Sequence, residues 1–179
     1  MKGIIFTEFL EMVEHQYSIE MVDRIILHSN LPSGGVYTSV GTYQHQEMFE
    51  LVTQLSQQTH TSINAVLQTF GKYLFHAFTK SYPHIMNQYH NSFQLLASIE
   101  SHIHVEVRKL YPEAELPHFE LLEQSEKYLK MNYHSNRKMA DLGIGLIEGC
   151  MEYFSEKGTV ELIPLREDRS LVTFIIQRQ

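Results

Sequence analysis

Leu110-Tyr111-Pro112-Glu113-Ala114-Glu115-Leu116-Pro117 divides the chain into two kinds of pattern. Proline lacks an amide hydrogen and disfavours helical backbone in the residue before it, so a helix reaching this stretch stops there. Upstream, apolar residues recur at helical spacing: Met21, Ile25 and Ile26, then Met48, Leu51, Val52 and Leu55, then Val66, Phe70, Tyr73 and Leu74. Residues three and four apart share a helix face, so this spacing predicts a helical lobe over about 1–112. Leu31-Pro32-Ser33-Gly34-Gly35 reads as a turn, Thr61-Ser62 can cap the helix that continues through Phe78, and Tyr82-Pro83 breaks that helix. Downstream, side-chain character alternates from Tyr128 to Tyr133, and Thr159 to Leu165 and Leu171 to Ile176 are rich in β formers. Between them Asn136 to Glu156 reads as one helix. The order is roughly β-β-α-β-β, which predicts an α+β fold: the helical lobe, then a mixed lobe over about 113–179 with an antiparallel sheet packed on helices. No repeat or linker separates them, so 1–179 is expected to form one compact unit.

At 179 residues, with 43% hydrophobic and 20% charged side chains, the chain is large enough to enclose a buried site. A formal charge of −7 argues against a surface that neutralises phosphates, so nucleic acid is not an expected partner. Glu8 and Glu11 interrupt the apolar start, and nowhere do about 18 uninterrupted apolar residues occur, so neither a signal peptide nor a membrane span is expected. The reading is a cytoplasmic protein. Cys150 is the single cysteine, which removes intramolecular disulfides and thiolate metal clusters from consideration. Nine other histidines, among them His15, His45, His76 and His118, show no ligand spacing and read as solvated or structural.

The helix read over Phe93 to Leu110 carries His102-Ile103-His104. At 100° per residue, Phe93, Leu96, Ala97, Ile103, His104, Val107 and Leu110 fall on one broad side and His102 on the other. Residues i and i+2 diverge by about 200°, so the two histidines do not form a clamp on one metal, and only His104 faces the core. One reading of His104 is a core histidine satisfied by a local hydrogen bond. The other is a single axial ligand in an apolar cavity, with Ala97 leaving room for a flat cofactor. A second constellation, Tyr133-His134-Ser135-Asn136-Arg137, directs Tyr133, Ser135 and Arg137 to one side if the backbone is extended. Two hydroxyls and a guanidinium suit a carboxylate or phosphate, because arginine grips an anion through paired charge-assisted hydrogen bonds. The alternative is an ordinary strand end followed by a helix cap. Together the two sites describe an apolar slot with one imidazole and an anion-binding rim, which is what haem requires.

The stretch Ile103-His104-Val105-Glu106-Val107-Arg108-Lys109-Leu110-Tyr111-Pro112, followed by Tyr133-x-Ser135-x-Arg137, resembles the haem-nitric oxide/oxygen binding (H-NOX) family, related to the haem domain of soluble guanylate cyclase. Met1-Lys2-Gly3 and Gly145-Leu146-Ile147-Glu148-Gly149 resemble it as well, so the likeness spans essentially the whole chain. The resemblance implies haem b buried between the lobes, with His104 as the proximal iron ligand and Tyr133, Ser135 and Arg137 on its propionates. It implies that Pro117 presses on the porphyrin and that Ile5 and Leu146 are distal apolar contacts. Oxygen-binding members place a tyrosine where Leu142 stands and a supporting polar residue where Leu74 stands. With Leu74, Leu142 and Phe9 as the gas pocket, the expectation is a ferrous haem that binds nitric oxide and carbon monoxide with weak or no oxygen binding. Tyr73, beside Leu74, is the residue that could change this by reaching the pocket.

By the same resemblance, nitric oxide weakens the bond from iron to His104 and the ensuing shape change passes to a separate chain. For the stand-alone bacterial members that partner is a histidine kinase or a cyclic-di-GMP enzyme. No catalysis is expected of the chain itself: a haem peroxidase needs a distal histidine or arginine, and none aligns beside Leu74 or Leu142. The competing readings are an oxygen-binding haem sensor and a non-haem helical interaction module. Glu148 is expected at a solvent or interface position and Cys150 as a buried small hydrophobe.

Overall fold

A computed structural model describes residues 1–179. Four helices open the chain: α1 (Gly3–Gln16), α2 (Ile19–Leu27), α3 (His45–Thr59) and α4 (Ile63–Ser81). Two start where a side chain can satisfy a free amide: Ser18 accepts from the Met21 N–H at 3.3 Å, and Ser62 from the Ala65 N–H at 3.2 Å. Pro83 then begins a short helix, α5 (Pro83–Met86), and ends α4 two residues earlier. The inward faces of α1 to α4 form a first core in which Phe9 meets Phe70 edge to face at 5.1 Å.

The sheet is four-stranded and antiparallel in the order β1-β2-β4-β3, with β1 (His118–Gln124), β2 (Tyr128–His134), β3 (Gly158–Pro164) and β4 (Leu171–Arg178). Alternation along the central pair sets the inward face: Leu129 opposite Ile176, Met131 opposite Phe174 and Tyr133 opposite Val172. These six pack on Ile144 and Ile147 in a second core. Ile85, Met86, Phe93, Leu95 and Leu96 are buried in that second core as well, although they precede the proline boundary. Helical period reports that a face is buried, not against which neighbour.

Two elements differ from expectation. The helix read over 93–110 is three pieces: α6 (Ser92–Ala97), a π-helical turn (Ile99–Ile103) and α7 (His104–Leu110). A π turn holds an extra residue, so the 100° count fails across it. Ala97 therefore does not line the cavity beside His104, and Leu110 is 56% exposed. The helix read over 136–156 is shorter, α8 (Ala140–Tyr153). Lys138 and Ser155 adopt left-handed backbone at φ 56, which delays its start and closes its end.

The helices α4 and α8 join the two cores, and their backbones touch where both carry glycine. A Cβ on Gly145 would lie 2.0 Å from the Gln68 carbonyl oxygen, and one on Gly71 would lie 2.4 Å from that of Leu142. Lys72 holds the same pair from outside, on Glu148 at 3.2 Å and Glu152 at 3.0 Å. Gly145→Ala is expected to push α8 off α4 and to lower stability in urea by about 1–3 kcal/mol, the usual cost of overpacking. An unchanged urea midpoint would contradict this contact.

Residues 31–43 fold over α1 and are anchored by a buried carboxylate. Glu47 is 3% exposed and accepts hydrogen bonds from the Ser33 hydroxyl, the Ser33 amide at 3.3 Å and the Tyr37 hydroxyl at 3.0 Å. Tyr37 stacks on Phe6 at 4.4 Å, and burial raises its phenol well above the ordinary value. The anchored segment pairs with the start of α1, Gly3 N–H to Gly41 at 2.9 Å and Tyr43 N–H to Met1 at 2.9 Å. Residues 1–5 and 42–46 are thereby fixed side by side.

Candidate functional site

A cavity of about 810 Å³ lies between the two cores, within the size range of small-molecule and cofactor sites. The first core contributes Ile5, Leu74 and Phe78 to its wall, and the second contributes Leu95, Leu96 and Tyr133. Leu142 and Leu146 of α8 complete it where the helices cross. Hydrophobic residues make up 25 of the 37 that line it, so the few polar groups stand out.

The first of these is His104, 7% exposed at the start of α7. Its Nδ1 is 3.0 Å from Glu100 Oε1, one turn earlier. A carboxylate accepts, so Nδ1 carries the proton and Nε2 keeps its lone pair. The same oxygen accepts the Phe119 N–H at 2.8 Å, which ties the π turn to β1, and His118 Nδ1 lies 3.5 Å away. Burial pushes the His104 pKa below its usual value and outweighs the opposing pull of Glu100. A neutral, oriented imidazole on an apolar wall is a Lewis base ready for a metal. No group of three or more His, Cys, Asp or Glu in the chain could hold a bare ion, so a metal at Nε2 must bring its remaining ligands with it. A porphyrin-bound iron does so, and it fits this donor set.

The second polar group is Tyr133, Ser135 and Arg137, all on the same cavity wall. Strand alternation does not bring them together, since β2 ends at His134 and a turn follows. Ser135 donates its N–H to Ser170 at 2.8 Å, and its Oγ accepts the Arg137 N–H at 3.2 Å. Arg137 Nη2 donates to the Glu115 carbonyl at 2.6 Å, which secures the guanidinium at the rim. Burial raises the Tyr133 phenol, keeping it a hydrogen-bond donor. Hydroxyls and a tethered cation at the edge of an apolar slot suit carboxylates.

His104, Tyr133, Ser135 and Arg137 thus share one cavity, as do Pro117, Ile5, Leu146, Leu74 and Leu142. Phe9 does not line it. The residue lies one helical turn beyond Ile5, about 6 Å along the axis, and is spent on Phe70 in the first core. Tyr73 also points elsewhere, its hydroxyl 3.1 Å from His15 Nδ1. His102, on the outer side of the π turn, meets the Tyr89 hydroxyl at 2.5 Å. Cys150 is fully buried away from the wall, and burial pushes its thiol well above the usual range, which leaves it inert. Sequence reasoning missed Glu100, although its position four residues before His104 on a helix was a usable signal. It also missed His45 and Phe119, which reach the wall through contacts distant in sequence.

The family model described as haem-NO-binding matches residues 2–162. The chain is similar to the crystal structure of an Fe(II) unliganded H-NOX protein from K. algicida, at 46% identity and a TM-score of 0.95, covering 100% of this chain and 97% of that one. It is similar to an H-NOX from Shewanella woodyi solved in solution, IWP-051-bound in the Fe(II)CO state, at 39% identity and a TM-score of 0.84, covering 100% and 95%. An S. oneidensis H-NOX in the Fe(II)NO state follows at 26% identity and a TM-score of 0.91, covering 100% and 99%. No protein of curated function matches the sequence. No helix is long and apolar enough to cross a membrane.

Proposed function

Since the chain belongs to the haem-NO-binding family, the H-NOX proteins, which are haem-binding gas sensors, we propose that it holds haem b in the 810 Å³ cavity and senses nitric oxide. The observation that carries this reading is His104: one neutral imidazole, its Nδ1 fixed by Glu100 and its Nε2 free, on the wall of a cavity otherwise mostly hydrocarbon. Haem would supply the iron that takes the gas and whose bond to an axial histidine weakens when nitric oxide binds.

The chain's own residues do the rest. His104 would offer its Nε2 to the iron and couple it to α7, while Glu100 couples the same imidazole to β1 through Phe119. Tyr133, Ser135 and Arg137 would hold the propionates, and Pro117, on the same wall, would bear on the ring. Cys150 is buried and off the wall, so attachment is non-covalent, which fits haem b. Ile5, Leu74, Leu142 and Leu146 place no hydrogen-bond donor over the ring. Oxygen depends on such a donor for roughly 1–3 kcal/mol of affinity, whereas nitric oxide and carbon monoxide need it far less. The same hydrocarbon wall offers no group to manage O–O cleavage, which favours a sensing role over a peroxidase-like one.

With His104 no longer held by the iron, α7 and the π turn would be freed, and the two cores on either side of the cavity would be the bodies that shift. The receiver is a separate signalling chain in the cytoplasm, a histidine kinase or a cyclic-di-GMP enzyme. Anaerobic titration of the haem-free protein with haem is expected to saturate at one equivalent with a sharp Soret band. Absence of saturable binding would refute the reading. Glu100→Ala is expected to speed haem loss about 10- to 100-fold, the range seen when the partner of a ligating histidine is removed. An unchanged rate would mean that Glu100 does not orient the ligand.

A further inference from the structure

Arg137 is not alone where the cavity wall turns polar. His45, the first residue of α3, lies on the same wall together with Gln44, Gln46 and Glu115. The rings of His15, His28, His76, His102, His104 and His118 each find a polar partner in the chain. His45 has none; its ring rests edge-on against Phe49 at 6.4 Å. No other histidine without a partner lines the cavity. Gln44 gives the first turn of α3 no side-chain cap, and while the Glu47 N–H donates to the Gln44 carbonyl at 3.2 Å, the His45 and Gln46 amides are left for an outside acceptor.

The charges that face His45 come from three segments: Arg137 in the turn after β2, the Met1 amine just before α1, and Glu115 in the 111–117 segment. Glu115 is the one carboxylate among them; its side chain is 90% exposed and already sits 3.4 Å from Arg137. This wall is short of negative charge. The haem reading brings two propionates to it, and one guanidinium tethered to Glu115 grips one of them. We propose that His45 is a second, proton-gated anion contact of the cavity, which pairs with the propionate that Arg137 does not take. This inference rests on the haem reading.

The sign of the pH dependence follows. Without an anion, burial first and Arg137 second hold the His45 pKa below its usual 6.5, so the ring is neutral at pH 7. A carboxylate beside it favours the protonated form and raises the pKa. The extra hold on haem is therefore complete below the anion-free pKa and is lost as pH rises through the haem-loaded one.

The test compares protein loaded with haem and with haem dimethyl ester, whose propionates carry no charge, both as the diamagnetic ferrous carbonyl. The His45 ring signal, identified by its absence in His45→Gln, is titrated by NMR. The pKa is expected about one unit higher with haem than with the ester, equivalent to about tenfold tighter holding when His45 is protonated. Correspondingly, His45→Gln should lose haem about tenfold faster than the parent at pH 5.5 and at nearly the parent rate at pH 8. His45→Lys should hold haem at both. Equal pKa values with haem and ester, or a rate ratio independent of pH, would overturn the inference and leave the haem reading standing. A protein that takes up neither haem nor its ester would overturn both.

Discussion

Haem loss from His104→Gly protein to a scavenging apoprotein is expected to be at least about 100-fold faster than from the parent, and millimolar imidazole is expected to restore retention. Removing a partner of a ligating histidine costs roughly 10- to 100-fold, and removing the ligand itself must cost at least as much. The fold should survive, because His104 lies at the edge of the second core and the main core contacts are made by other side chains. Glu100 makes the rescue specific. In the variant its carboxylate still accepts the Phe119 N–H, and free imidazole can donate to it as His104 does, presenting its other nitrogen to the cavity. Glu100→Ala on top of His104→Gly should therefore weaken the imidazole rescue. Even rescued, His104→Gly protein should stay in the signalling state and no longer respond to nitric oxide, because no bond from the iron restrains α7. A His104→Gly protein that keeps haem equally well without imidazole would show that another residue holds the iron.

Oxygen affinity is the property that a single substitution should change most. Leu142→Tyr places a phenol on the cavity wall at a position one turn before Leu146, where no donor stands. A hydrogen bond of roughly 1–3 kcal/mol corresponds to an affinity gain of about 5- to 150-fold for oxygen, with carbon monoxide changed much less. Leu142→Phe is the matched control, similar in bulk and without the hydroxyl. Overpacking of the cavity wall should cost both variants similar stability, so a difference between them isolates the hydrogen bond. Equal oxygen affinity in the tyrosine and phenylalanine variants would mean that polarity at this position does not set gas choice.

The sequence exposed the fold class through two periods and the prolines at 112 and 117, and the strands lie where alternation (β2) and β-forming composition (β3 and β4) placed them, within two residues at each end. It did not expose the π turn, since a one-residue insertion in a helix leaves no composition signal yet rotates everything after it. Ala97 was misplaced for that reason. His104 was legible because its side of the helix is apolar on either flank of the insertion. Tyr133, Ser135 and Arg137 were legible as residue types that suit an anion, though a turn and not strand alternation gathers them. Phe9, expected in the gas pocket by resemblance, lies one turn beyond the wall residue Ile5 and packs on Phe70 in the first core instead. His45 could not be found from spacing, because the segment anchored by Glu47 is what brings the start of α3 to the wall.

Absorption spectra of the haem-loaded ferrous protein under nitrogen, then air, carbon monoxide and nitric oxide, decide whether His104 holds the iron and whether the proposed preference for nitric oxide over oxygen is real. The Soret band is expected to be unchanged by brief exposure to air, shifted by carbon monoxide, and moved by nitric oxide to the blue position of a haem that has let go of its histidine. A stable oxygen spectrum in air, or a nitric oxide spectrum in which the histidine is still bound, would contradict this expectation.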